Sequence, residues 1–527
     1  MSARSTEARP APPPATMSLE SIIRPIGETR GTVRFVSGRG EAEVLTYDEL
    51  GRRIVRAGAA LAARGVEQGD AIGMVIDNNA ESITAALGVW AAGATLVSLP
   101  PVPAQATEVY QAGFGPVLRA MSCSRVIGSP RLAEMAGSGV EAIDPASLQA
   151  GDGPDPGRAV EGIALVQFTS GSVGTPKGVA LHAATLAGHL EGFGRAMEVD
   201  PATDRGVTWL PFYHDMGLVG TFLVPLAYAV PLTVLSPRSF VVHPRGWLDA
   251  CADQRATLTA ASDFAFRMAA RAARGATGDL SSMRLCFTGG ERVSFATLER
   301  FQEVNQQNGF PWESIMPVYG MSEAVAAVTM PPIGRGPVQD GEGNVSVGPP
   351  LAGVEVRLEE TIAIRSPWLL DAYVRGDGQA PGVDSDGWFT TNDLGRQHDG
   401  EIYVLGRADE VVSAGGRNHF AEDVEAVALV VSKAALNGVA AFRAPDDPSR
   451  LALAIEVDTR DADEARTFGR GLQGSISAAL GLRVGPVLLL RPWTIPRTTS
   501  GKVKRPACRA LLAAGEWPER KVLAVID

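Results

Sequence analysis

Phe168-Thr-Ser-Gly-Ser-Val-Gly-Thr-Pro-Lys177-Gly178 is the stretch on which the reading of this chain turns. Just before it, Ile163-Ala-Leu-Val-Gln-Phe168 is a short apolar run that predicts a buried strand. The strand breaks into glycines, small hydroxyls and one lysine, residues that interrupt regular structure. Gly171 and Gly174 let backbone N–H groups turn towards one point, and Thr169, Ser170, Ser172 and Thr175 add hydroxyl donors. Lys177 adds a compact positive charge, so the guest that fits is a polyphosphate. The spacing is not that of ordinary P-loop NTPases, which need Gly-x-x-x-x-Gly-Lys before Ser or Thr. Here the lysine follows Gly174 by three positions, and the pair Gly501-Lys502 is followed by Val503.

Working outward, 527 residues are too many for one ordinary core and imply two or more domains. Hydrophobic content of 45% beside 20% charged residues fits a soluble globular protein. A net charge of −11, with no basic cluster interleaved with aromatics, argues against a nucleic-acid surface. Cys123, Cys251, Cys286 and Cys508 are scattered without a C-x-x-C pair, which fits a reduced cytoplasm and neither a disulfide framework nor a zinc site. Residues 1–20, rich in Pro, Ala, Ser and Thr, read as a disordered leader and not as a signal peptide. Two long uncharged runs, Ser82–Thr107 and Met216–Pro237, are broken by glycines and prolines. Each reads as a buried helix followed by a buried strand, not as a membrane span.

A helix is expected from Thr46, its N-cap, to about Arg64. Apolar runs at 71–77, 94–99, 124–128, 163–168, 207–211, 231–236, 256–261, 284–288 and 315–319 alternate with helical stretches. That alternation predicts an α/β domain of mainly parallel sheets. From about 345 to 408 short strand-and-turn units predict a smaller β-rich subdomain, completing an N-terminal domain over 21–408. Residues 409–527 are expected to form a small, mobile α+β domain.

Four further segments sit where such sheets place their ligands. Trp209-Leu-Pro-Phe212-Tyr213-His214-Asp-Met216-Gly217 follows a strand, and its aromatics suit the wall of an apolar tunnel. Phe287-Thr-Gly289-Gly290-Glu291 and Val318-Tyr319-Gly320-Met321-Ser322-Glu323 each close a strand. In the second, Tyr319 can stack on a base, and Ser322 and Glu323 offer hard oxygen ligands for Mg²⁺. Trp388-Phe-Thr-Thr-Asn392-Asp393 ends on a carboxylate able to accept two hydrogen bonds, with Arg407 following.

Together with Gly406-Arg407-Ala-Asp409, Ser413-Ala-Gly415-Gly416-Arg-Asn-His and Ile495-Pro-Arg-Thr-Thr-Ser-Gly501-Lys502, these segments resemble, in order, those of the adenylate-forming superfamily. Its members include acyl-CoA synthetases, fatty acyl-AMP ligases, peptide-synthetase adenylation domains and luciferases. The wording is most like the fatty acyl-AMP ligases. The resemblance implies ATP and AMP binding by the phosphate loop, Gly289, Gly290, Glu291, Tyr319, Gly320, Met321, Ser322, Asp393 and Arg407. It implies Mg²⁺ on Glu323 and Ser322, a hinge at Asp409, and a channel for the pantetheine arm at Gly415 and Gly416. Lys502, Lys177 and His214 would serve catalysis. Trp209, Phe212, Tyr213, Met216, Gly217 and Phe264 would line the acyl pocket.

The implied reaction is attack of a carboxylate on the α-phosphate of ATP, then displacement of AMP by an external thiol. Fatty acyl-AMP ligases carry an insertion between the equivalents of Tyr373 and Thr391, whereas this chain spans that interval in 18 positions. The length therefore points to CoA as the acceptor. Three other readings stay open: a ligase loading a carrier protein, an enzyme that performs only the thioester half-reaction, and a non-catalytic acyl-adenylate binder. Asn392, where most relatives have glycine, and Glu410, where they often have another residue, keep the half-reaction reading alive.

Overall fold

The computed structural model describes residues 18–23, 31–38, 40–101, 107–149, 153–169, 177–272, 278–375, 378–414, 417–431, 438–447, 450–497 and 503–527. Helix Tyr47–Ala63 starts as its sequence asks. Thr46 Oγ1 accepts the Glu49 N–H at 3.0 Å, and Asp48 and Glu49 lie in the positively polarised first turn. Each apolar run expected to form a strand does so, within a few residues at its ends.

Those strands build two large sheets. In the seven-stranded sheet, Ile315–Pro317, Leu285–Thr288, Leu258–Ala261, Gly206–Thr208, Leu232–Leu235 and Thr32–Val36 run parallel, and Ala42–Thr46 closes the edge antiparallel. In the eight-stranded sheet, Ile163–Thr169, Thr95–Leu99, Ala71–Val75, Arg125–Ile127 and Glu141–Ile143 are parallel neighbours. Its other flank is antiparallel: Lys177–His182, Ala372–Arg375 and Gly378–Pro381.

Three features depart from the sequence reading. Strands Thr32–Val36 and Ala42–Thr46 were not expected, since five residues of loose alternation give little periodicity to recognise. Part of the segment assigned to a β-rich subdomain instead extends the main sheet, because Tyr373 pairs with Val179 beside the phosphate loop. The leader expected over 1–20 overlaps helix Leu19–Ile23, whose Leu19 and Ile22 are buried in the main core; residues 1–17 lie outside the described residues.

The run Met216–Pro237 is a helix followed by a strand, as its composition asks, but Met216–Leu223 has π spacing. The Val224 N–H reaches back five residues to Val219 O, and Pro225, next along, has no N–H to donate. Among the described residues no helix is long and apolar enough to cross a membrane.

Helix Ala80–Ala91 carries Trp90, fully buried, whose Nε1–H donates to Ala164 O at 2.8 Å. The indole thus pins the strand that leads into the phosphate loop. Truncating Trp90 to Ala would cost about 3–5 kcal/mol from lost burial together with the cavity left behind.

The largest core draws on residues from Leu19 to Ile402, a second from Ala71 to Val374 lies beside the eight-stranded sheet, and further cores begin at Val412. There a four-stranded sheet, Gly438–Arg443, Leu451–Glu456, Val484–Leu490 and Val522–Ile526, has helices Ala421–Val431 and Ala462–Leu480 on one face. Helix Arg505–Ala514 covers the other face through Cys508, Leu511 and Leu512.

Candidate active site

Where strand ends meet, a cleft of about 2530 Å³ opens between the large sheets and the residues beyond 408. Lys177, Tyr319, Glu323 and Asp393, which the sequence places in four separate segments, all line it. Thr169 and Lys177 face each other in the register of the hairpin whose connection is residues 170–176. Ser170, Gly171, Ser172, Gly174 and Thr175 lie outside the described residues, as do Gly415, Gly416 and Lys502. Their neighbours Val503 and Lys504 line the cleft.

Two buried carboxylates organise the floor. Tyr319 donates its hydroxyl to Asp393 Oδ2 at 2.7 Å, and Arg407 Nη1 lies 3.6 Å from Oδ1. Thr391 Oγ1 accepts the Asp393 N–H at 3.0 Å while donating to Ile362 O, so the carboxylate is aimed by the neighbouring strand. Tyr373 donates to Glu323 Oε1 at 2.8 Å, and Lys177 Nζ lies 5.2 Å from the centre of the Tyr373 ring. The phosphate-loop lysine and Glu323 are therefore held on one tyrosine.

Burial is the main cause that pushes both carboxyls up from their usual range. For Glu323, Tyr373 opposes that rise and Asp215 adds to it; for Asp393, Tyr319 and Arg407 oppose it. Such groups ionise more readily once a cation arrives. The Tyr319 hydroxyl is raised well above its ordinary value by burial and then by Asp393, so it stays a donor.

Ser322 donates to Asp215 Oδ2 at 2.6 Å, joining the tyrosine-bearing turn to the start of the π-helix. The turn is tight. A Cβ on Gly320 would lie 1.8 Å from Ala326 O, so only glycine fits. Val325 holds φ 66°, a costly conformation for a β-branched residue, fixed here by bonds from its own N–H to Ser322 O and from the Ala326 N–H to Ala324 O. Among the described residues no group of three or more His, Cys, Asp or Glu is arranged around a metal. Glu323 offers a divalent cation a carboxylate, which suits an ion whose other ligands include phosphate oxygens and water.

The acyl-pocket expectations divide. Tyr213, His214, Met216 and Phe264 line the cleft, together with Phe193, Phe287 and Met268, which the sequence did not single out. Trp209 and Phe212 do not face it. Trp209 stacks on Phe240 at 3.7 Å and Phe212 packs on Phe222, both in the core, where these large rings lose more contact with water than on the wall of an open cleft. Gly217 and Gly289 also lie behind the wall; Gly290, Gly320, Met321 and Ser322 are on it. Glu291 lines the cleft but spends Oε1 on the Phe264 N–H at 2.9 Å, at the start of helix Asp263–Ala272. Asp409 lies in the turn Ala408–Glu410 and accepts from Arg407 Nε at 3.2 Å. Tyr373 stands in no motif, and Asp215, although inside the segment Trp209–Gly217, is given no role there by the sequence; sheet pairing and the bond from Ser322 bring them to the site. None of the four cysteines lines the cleft.

The Thr169–Lys177 hairpin, two largely covered carboxylates and Tyr319 thus meet in one cleft at the ends of the sheets. A family model described as AMP-binding enzyme matches residues 26–363, and the chain belongs to that family. A long-chain-fatty-acid–AMP ligase of Mycobacterium marinum is 30% identical, over 89% of this chain and 91% of its own length. A Caulobacter vibrioides protein that carries an acyl-CoA synthetase name is 28% identical, over 93% and 94%. A solved structure from a study of fatty acyl-adenylate ligases of E. coli and L. pneumophila superposes with a TM-score of 0.83 at 24% identity, covering 97% of this chain and 99% of that one. The protein is an acyl-adenylate-forming ligase.

Proposed function

We propose that this protein is an ATP-dependent acyl-CoA ligase, which activates a hydrophobic carboxylic acid as its acyl-adenylate and passes the acyl group to the thiol of CoA. The observation that carries the acceptor is the 18-position interval from Tyr373 to Thr391, whose described residues hold strands Ala372–Arg375, Gly378–Pro381 and Phe389–Thr390 and no further helix or strand. Phe193, Phe264, Met268 and Phe287 on the cleft wall favour an apolar acid.

In this reading Tyr319 receives the adenine, and Asp393 with Arg407 receives the ribose diol. Lys177 and the loop 169–175 hold the phosphates. Mg²⁺ on Glu323 and Ser322 supplies Lewis-acid neutralisation of the phosphate charge. Lys502 meets the charge that builds between carboxylate and α-phosphate, and His214 steers the carboxylate. Asp409 is the hinge, and Gly415 and Gly416 border the pantetheine arm. Asn392 does not lie among the positive-φ residues, so its backbone does not require glycine at this place in the motif.

A second reading, an acyl-AMP ligase that loads a carrier protein, draws on the 30% identity to the M. marinum ligase and on the motif wording. The test is a panel of acids assayed for both ATP–pyrophosphate exchange and CoA-thioester formation. Exchange with thioester supports the proposal. Exchange without thioester, but with loading of a phosphopantetheinylated carrier, overturns it in favour of the second reading. Thioester only from a supplied adenylate leaves the half-reaction enzyme, and neither activity leaves a binder.

A further inference from the structure

Glu456 ends strand Leu451–Glu456 in the small domain's sheet and is 1% exposed. Oε1 accepts the N–H of Thr494 at 2.6 Å and of Ile495 at 2.7 Å, and Oε2 lies 3.9 Å from Arg497 Nη2. Two backbone donors and a guanidinium are what a buried carboxylate requires to offset its lost hydration. Space for the meeting is made by Gly438, where a Cβ would stand 2.3 Å from Arg497 Nη2 and 2.7 Å from Glu456 Oε2.

Thr494–Arg497 form one side of the base of the loop that carries Lys502. Its other side is tied back by the Arg497–Val503 bridge and by the Lys504 N–H donating to Pro496 O at 2.8 Å. Arg497 also reaches across the cleft, its guanidinium 5.5 Å from the centre of the Phe264 ring. A continuous set of contacts therefore runs from the small domain's sheet, through the loop base, to the pocket wall.

We infer that Glu456 is a positioning residue for Lys502: it holds the flanking residues Thr494–Arg497, tied to Val503 and Lys504, and through Arg497 on Phe264 sets where that base meets the pocket. The inference rests on the proposed role of Lys502 in adenylation. It concerns only the docking in which Arg497 meets Phe264, so the adenylation step depends on it and transfer from a finished adenylate does not.

The experiment measures pyrophosphate exchange, and thioester formation from a synthetic acyl-adenylate, in E456A, E456Q, R497Q and K502A. Expected is a fall of about ten- to a hundredfold in the exchange kcat of E456A and R497Q, with the acid's KM changed much less and transfer within about twofold of wild type. E456Q keeps an acceptor for both N–H groups but loses the charge facing Arg497, so its exchange rate falls between the two. Equal loss of both half-reactions, or exchange at the wild-type rate in E456Q and R497Q while K502A is inactive in exchange, overturns the positioning role. Wild-type exchange in K502A overturns the role of Lys502 itself, and the inference with it. Where E456A does not fold, E456Q and R497Q, read against K502A, carry the test.

Discussion

Asp263 shows how one buried side chain near the cleft couples ionisation to folding. Burial pushes its carboxyl up to about 6, Glu291 adds to the rise, and Arg267, the Ser294 N–H and Thr297 pull the other way. A raised folded pKa means the folded protein holds this proton more tightly than the unfolded chain. Its contribution to stability is therefore full below pH about 4 and is lost as pH rises to about 6. Asp263→Asn keeps an acceptor for the Ser294 N–H at 2.9 Å and removes the titration. Urea midpoints between pH 4 and 7 should then vary less with pH in the variant than in wild type; parallel curves would refute this. Tyr373 carries a second prediction. Without its hydroxyl, Glu323 loses the donor that opposes the rise from burial, and its carboxyl moves higher. Tyr373→Phe should require several times more Mg²⁺ for half-maximal pyrophosphate exchange, with the acidic limb of the pH profile displaced to higher pH. An unchanged Mg²⁺ requirement would separate Tyr373 from the metal. Tyr319, Glu323 and Asp393 were legible because each stands in a worded motif. The roles of Tyr373, which donates to Glu323, and of Asp215, which accepts from Ser322, were not, since a hydrogen bond spanning 50 or 107 positions leaves no local trace.

At the scale of elements, helix Arg505–Ala514 is joined to its neighbours by charge as well as by its apolar face. Arg505 lies 2.7 Å from Glu410, 3.0 Å from Glu422 and 2.8 Å from Glu425, tying the turn Ala408–Glu410 and helix Ala421–Val431 to the end of the lysine loop. Burial, with Glu422 and Glu425 adding to it, raises the Glu410 carboxyl, while Arg505 opposes the rise. Removing this cation leaves three mostly covered carboxylates facing one another without their shared ion pair. Arg505→Gln should destabilise the small domain by at least about 2 kcal/mol, read as a shift in its urea midpoint. A change below about 0.5 kcal/mol would mean that water already pairs these carboxylates. Strands and helices of this kind were readable from apolar periodicity, which is a local property. The π spacing of Met216–Leu223 was not, because it reflects the Val224 N–H reaching Val219 O, a choice the apolar pattern does not encode.

Across the whole molecule, Arg292 bridges the two parts that frame the cleft. It pairs with Asp423 on the small-domain helix and donates to Asn344 Oδ1 at 2.7 Å, with the Phe420 ring 6.0 Å away. Arg292→Gln weakens that bridge without touching either core. Trypsin should then cut at Arg407 several times faster than in wild type, at an unchanged thermal midpoint. Equal cleavage would show that other contacts hold the domains in this arrangement.

By itself the sequence determined the alternation of strand and helix, the phosphate-loop segment, and the order of motifs that carries membership of the family. These rest on periodicity and on residue types that act within a few positions of one another. Only the tertiary structure decided which side chains of those motifs face the cleft. Trp209 and Phe212 turned into the core while Phe193 and Phe287 turned out to the wall, since the direction of a side chain depends on the register of sheets assembled from distant strands. It also decided that Tyr373 belongs beside Lys177 and Glu456 beneath Arg497, because pairing energy is local in space and not in sequence.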